Sequence, residues 1–191
     1  MKTIIKNGKI ATDSDVFSGD ILIDGEKIAE KEGITSFKVY MTYDYMLHDD
    51  EIFRVLRAAR EAGIVITVHC ENHGVIQQLR KEFSEAGCGA AEYHPLSRPA
   101  RCEAEAVNRM IHIAAMADDA PLYIVHLSSA EGLHEVLKAR AEHRPSIGVE
   151  TCTQYLVLTD EMYEDPEEGL KAVMSPPLRK DQDREELWQA L

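Results

Sequence analysis

The chain has 191 residues, 45% hydrophobic and 29% charged, the composition of one soluble globular domain with room for a small appendage. Acidic residues outnumber basic ones 34 to 21, giving a net charge of −13. That sign excludes nucleic acid and anionic membrane surfaces as expected partners, since both are met by clustered lysine and arginine.

No stretch approaches the ~18 apolar residues of a membrane span. The opening MKTIIKNGKI lacks the continuous apolar run of a signal peptide. Cys70, Cys88, Cys102 and Cys152 form no C-x-x-C pair, which fits thiols kept reduced in a cytoplasmic compartment.

In chain order, residues 1–29 read as a small β-ribbon. Residues 3–5 and 9–11 flank Asn7-Gly8, a dipeptide that favours a two-residue hairpin turn, and residues 20–24 alternate before Gly25. Such a ribbon is not stable alone and needs strands from elsewhere. From Gly33 the pattern changes to alternating strand and helix. Residues 37–41 are a predicted strand. Residues 49–62 are a predicted helix with Asp49 as N-cap, Ile52, Val55, Leu56 and Ala59 as apolar stripe, and Gly63 as terminator. Residues 64–68 form a β-branched strand, 75–86 a helix, and 91–99 an irregular loop. Residues 101–117 form a helix with Ala104, Val107, Ile111 and Ala114 inward. Residues 122–125 are a strand. Ser128 and Glu131 have capping-box spacing and open a helix to about 141. Residues 147–151 are a strand, 174–178 an extended segment, and 183–191 a helix. Alternating β and α predicts an α/β fold with a parallel sheet, either doubly wound or part of a (β/α)8 barrel. No G-x-G-x-x-G or Walker pattern supports a nucleotide-binding version.

In a barrel, reactive side chains project from strand C-termini. Period-2 alternation puts Lys38, Tyr40 and Thr42 on one face of the first strand and Val39 and Met41 on the other. A lysine buried in an apolar strand is costly unless paired or modified. The next strands end in Val68-His69-Cys70-Glu71-Asn72-His73, in Val125-His126-Leu127-Ser128 and in Glu150-Thr151-Cys152. One strand-end histidine is ordinarily structural. Two in succession, beside a strand lysine, point to metal ligation. His48, His94, His112, His134 and His143 read as surface or packing residues, His73 as a helix start, and Cys70 as core.

These residues carry a resemblance. Gly33-Ile34-Thr35-Ser36-Phe37-Lys38-Val39-Tyr40-Met41-Thr42-Tyr43 resembles the lysine strand of the cyclic amidohydrolases, on their hydantoinase and dihydropyrimidinase branch. Val68–Asn72 and Val125–Ser128 resemble that family's two single-histidine strands. Glu150–Leu156 and Met174–Arg179 are similar to later motifs in the same order, and residues 1–29 to the opening β segment. The resemblance implies a metal-dependent amidohydrolase barrel over residues 33–191, with residues 1–29 belonging to a small β-sandwich. It implies that Lys38 is carboxylated and bridges two divalent metals, while His69 and His126 hold the second. Zinc is placed first, with manganese, iron or nickel as alternatives. It further implies that Tyr43 donates a hydrogen bond to the oxyanion formed when a ring amide carbonyl is attacked. Ser175 is implied to contact the substrate, through backbone atoms. The implied reaction is ring opening of a dihydropyrimidine or a hydantoin, by a protein that self-associates into a homo-oligomer.

Two pieces of the family pattern are absent. No His-x-His occurs, and no aspartate from a last barrel strand is reached. The expectation is a deletion around residues 30–32 and a barrel without its first and last strands. One metal position would then keep three ligands, Lys38, His69 and His126, and the chain alone would be weakly active or inactive. Three alternatives stand beside this: a non-catalytic scaffold relative, a gene remnant, and a dihydroorotase- or allantoinase-type hydrolase. Retention of Lys38 argues against the scaffold, and Tyr43 five residues after Lys38 favours the hydantoinase side.

Overall fold

The computed structural model of the chain describes residues 2–11, 16–24, 35–142 and 147–191. Strands β1 (Lys2–Ala11) and β2 (Val16–Asp24) pair antiparallel, from Lys2 opposite Asp24 to Ala11 opposite Val16. The Asn7-Gly8 turn expected from the sequence is corrected: both residues lie within β1. The register shifts between Ile5 and Gly8, so the dipeptide serves an irregularity in one long strand. The expected boundary between residues 29 and 33, and the inferred deletion at 30–32, lie outside the described residues, as does His143.

The main body is a parallel four-stranded sheet, β3 (Ser36–Tyr40), β4 (Val65–His69), β5 (Leu122–Ile124) and β6 (Ile147–Val149), ordered as in the sequence. Helices α1 (Asp49–Ala62), α2 (His73–Glu85), α3 (Tyr93–Ser97) and α4 (Ala100–Met116) intervene between the first three strands. Helix α5 (Ala130–Ala141) links β5 to β6. Helices α6 (Thr153–Val157) and α7 (Asp181–Ala190) follow β6, separated by two 3-10 turns.

Alternation explains the layers. Val39, Met41, Ile66, Val68, Leu122 and Ile124 are buried in a core shared with Ile52 and Leu56 of α1, Val107, Met110 and Ile111 of α4, and Val136 of α5. On the opposite sheet face, Lys38, Thr67, Tyr123 and Gly148 stand in one row by strand register. None of these four is fully buried, and Lys38 is exposed. Gly148 is required there, because a Cβ would stand 2.3 Å from the Tyr123 ring. Helices on one face and strands in sequential order are the barrel arrangement; a doubly wound sheet carries helices on both faces and reverses its order. Among the described residues, β3 and β6 each keep one edge without a partner strand.

Helix α1 matches its predicted limits, and Gly63 closes it in the left-handed region at φ 70°. Its N-cap is His48, not Asp49, and the His48 amide donates to Glu51 Oε2 at 2.8 Å. Helix α5 is capped not by Ser128 but by Ser129, whose Oγ accepts from Gly132 N at 3.1 Å. The predicted loop 91–99 contains the short helix α3. In α4, Val107, Ile111 and Ala114 are buried as expected, but Ala104 is only partly so.

Candidate metal centre

The strand ends converge. Register pairs Tyr40 with His69, so the exits of β3 and β4 lie side by side. Beyond β5 the ladder continues through Val125 N to Val68 O at 3.2 Å and Leu127 N to Glu150 O at 2.8 Å. His126 sits between these two bonds at φ 45°, in the left-handed region that β-carbon sterics disfavour. This turn carries its ring to the β4 exit. The facing nitrogens are His69 Nδ1 and His126 Nε2, 3.1 Å apart.

The two rings have unequal surroundings. His69 is buried, and its Nε2 meets Glu71 Oε2 at 2.7 Å. The same oxygen accepts from Arg98 Nη1 at 2.8 Å. Burial alone raises the Glu71 carboxyl, but the His69 bond and the Arg98 cation outweigh it and hold the group below its ordinary value. His126 is pushed down to about 4, chiefly by burial and then by His69 and Lys38, so its ring is neutral at pH 7. Its Nδ1 is buried without a hydrogen-bond partner.

Lys38 corrects the reading of a buried strand lysine. It is exposed, because β3 is an edge strand and no described element covers that face. Its Nζ lies 5.1 Å from the centre of the Tyr40 ring. Partial burial lowers the amine below its ordinary value, opposed by Glu150 and Cys152. Among the described residues, no group of three His, Cys, Asp or Glu side chains converges to hold a metal. The available set is therefore the two facing imidazoles, with Lys38 on the neighbouring strand.

That pair fits a divalent ion of the zinc type. Two Zn–N bonds of about 2.0–2.1 Å at a tetrahedral angle place nitrogens about 3.3 Å apart. The observed 3.1 Å needs only a small separation of the rings. A carboxylate on the far nitrogen of His69 is also the usual outer partner of a ligating histidine.

Tyr43 and Ser175 come together at the same place. Tyr43 has φ 77° in the turn that leaves β3, where Leu47 N reaches back to Tyr40 O at 2.9 Å. Its ring lies 5.2 Å from His69, centre to centre, and Tyr40 stacks on His69 at 5.7 Å. Burial raises the phenol above its ordinary value, and the neighbouring Ser175 side chain opposes that shift. The 174–178 segment is anchored by Tyr155 Oη donating to Pro176 O at 2.7 Å. Cys70 is core, as read from sequence. His73 opens α2 and faces Thr42 Oγ1 at 3.2 Å. His94 is a packing residue, its Nε2 2.6 Å from Met174 O.

Sequence reasoning missed Glu71, Arg98, Glu103 and Arg179. Glu103 is fully enclosed and accepts from Ser128 N at 3.0 Å and from the Ser128 and Ser129 hydroxyls. Arg179 Nε donates to Ser128 Oγ at 3.0 Å, and its Nη1 donates to Arg98 O. One signal was available: Glu103 lies four residues before Val107, on the inward stripe of α4. No local pattern marked Arg98, and Arg179 stood at the end of the Met174–Arg179 motif without an assigned role.

No family model matches the chain. It is 49% identical over 167 residues to D-phenylhydantoinase from Escherichia coli O9:H4 (strain HS), covering 87% of this chain and 36% of that protein. The fold superposes on D-hydantoinase from Bacillus sp. AR9 with TM-score 0.83 and 38% identity, over 86% of this chain and 36% of that one. Dihydropyrimidinase from Brevibacillus agri NCHU1002 gives 0.83 and 40%, with the same coverage. Dihydroorotase from Campylobacter jejuni, at 15% identity and TM-score 0.59 over 86% of this chain and 43% of that one, shares the fold alone. The chain thus spans about a third of the length of the hydantoinases it matches. Over that span its sheet is part of an amidohydrolase barrel, and the chain belongs to the hydantoinase and dihydropyrimidinase branch of the cyclic amidohydrolases.

Proposed function

We propose that this chain carries one metal position and part of the substrate wall of an enzyme that opens cyclic amides of the hydantoin or dihydropyrimidine class by hydrolysis. The observation that carries the reading is the 3.1 Å approach of His69 Nδ1 to His126 Nε2, with Tyr43 packed against His69 and Ser175 beside it. His69 and His126 would hold a divalent ion, zinc first and manganese, iron or nickel next. Lys38 would complete the set after carboxylation, for which its lowered pKa helps, since the neutral amine is the form that adds carbon dioxide. A divalent ion held there supplies Lewis acidity toward a ring carbonyl and the ability to ionise water near neutral pH.

The chain's own groups do the rest. The Tyr43 phenol stays protonated, because burial raises it, and so remains a donor for an oxygen that gains charge. Ser175 lies within reach of the same point and contacts the ring. The rings of Tyr40, Tyr43 and Tyr45 present an apolar, edge-rich surface that suits a planar amide, with centres 5.0–5.9 Å apart. The sequence holds no His-x-His, so the first metal position lacks protein nitrogens, and the chain alone turns over slowly or not at all. The edges of β3 and β6 that have no partner strand among the described residues favour self-association. The four cysteines are all free, which accords with a reducing cytoplasm.

Binding tests this without requiring turnover. In the zinc-loaded chain, calorimetry should detect 5-phenylhydantoin or dihydrouracil, with affinity weakened about tenfold in Tyr43→Phe by loss of one hydrogen bond. Metal-independent binding, or none of either ring, would contradict the proposal.

A further inference from the structure

We propose that Glu71 is a positioning residue: held by Arg98, its carboxylate accepts the Nε2–H of His69 and fixes that ring in the tautomer whose Nδ1 lone pair faces His126. This rests on the metal-centre reading above, and extends it to residues that touch neither metal nor substrate. A neutral imidazole carries its proton on either nitrogen, and only the unprotonated nitrogen can ligate. Nothing in His69 itself decides between the two. Its surroundings do: Nε2 meets Glu71 Oε2 at 2.7 Å, while Nδ1 meets His126 Nε2 at 3.1 Å.

An ionised carboxylate has only acceptors to offer, so the proton must lie on Nε2. Both side chains of the pair are almost wholly buried, at 2% and 0% exposure, so water does not compete. Arg98 Nη1 secures the same carboxylate oxygen, Oε2, at 2.8 Å. Arg98 is in turn fixed, because its carbonyl accepts from Arg179, which also binds Ser128 two residues after His126. The turn bearing His126 and the carboxylate orienting His69 are thus joined by one buried network. A structural ion pair between Glu71 and Arg98 would need no bond to His69; the short bond to Nε2 is what the positioning role requires.

The direct test is the tautomer of His69, read by long-range nitrogen–proton NMR of the full chain labelled with 15N-histidine, without metal. The expected wild-type state is Nε2–H with unprotonated Nδ1. In Glu71→Gln the amide can present either oxygen or NH2, and in Glu71→Leu it presents neither. Both should admit the Nδ1–H form, and zinc affinity measured by chelator competition should fall about 10–100-fold. Arg98→Lys, which keeps the charge, should keep the tautomer. An Nδ1–H ring in the wild-type chain overturns the proposal even if the Glu71 variants do not fold. An unchanged tautomer in folded Glu71→Gln and Glu71→Leu overturns it equally. If Glu71 controls the tautomer but the wild-type chain binds no zinc, the positioning stands and the metal-centre reading fails.

Discussion

Tyr43 at φ 77° and His126 at φ 45° are both non-glycine residues in the left-handed region, and both point at His69. A backbone held there costs about 1–3 kcal/mol, and the surrounding ladder must supply it. Asparagine tolerates this region and β-branched residues do not. His126→Asn should therefore unfold in urea with about 1–2 kcal/mol more stability than His126→Val. Equal stabilities would mean that the turn relaxes. His94 gives a pH effect. Burial, with Arg98 and Arg179 nearby, holds it below its ordinary 6.5, against the opposing bond to Met174 O. The unfolded chain takes up this proton as pH falls through 6.5, while the folded chain resists until its lower value. Stability from His94 is thus complete above that window and lost on acidification through it. Urea midpoints at about pH 7.5 and 5.5 should differ less in His94→Gln than in the wild type. Lys38, His69, His126, Tyr43 and Ser175 were singled out as candidates from the sequence, because each sits at a strand end or in a motif. Glu71 and Arg98 were not. They lie 27 residues apart, and only the tertiary fold brings them to 2.8 Å.

Among the elements, α4 shows what sequence patterning can and cannot supply. Its period correctly marked Val107, Ile111 and Ala114 as inward, yet the same stripe carries Glu103, which is fully enclosed. Burial raises its carboxyl, and Arg179 with the serine bonds counteracts this. Glu103 ties α4 to the N-terminus of α5 through both Ser128 and the N-cap Ser129. Truncating one side of a buried charged network leaves the other unpaired, a loss of about 3–5 kcal/mol. Glu103→Ala should show that loss by denaturant unfolding. Glu103→Leu combined with Arg179→Met should cost less than the sum of the two single changes, since neither charge is then stranded. Additive losses would deny the coupling. The misread Asn7-Gly8 has a similar origin: the dipeptide permits a tight turn but also permits an irregularity in a strand, and pairing with β2 decides.

For the whole molecule, alternating β and α in the sequence left two architectures open, and the placement of helices on one sheet face selects the barrel type. The uncovered face carries Lys38, Thr67 and Tyr123, and His69 with His126 lies at its C-terminal end. That is where a barrel of this family keeps its chemistry. On the function proposed above, these residues assemble a metal position in this chain. Metal content per chain, by elemental analysis of protein purified without chelator, tests it most directly. The expected result is about one equivalent of divalent metal, lost in His69→Ala, His126→Ala and Lys38→Ala variants that remain folded. Metal-free wild-type protein that stays empty after dialysis against zinc would contradict it, as would metal retained at full stoichiometry in the three variants.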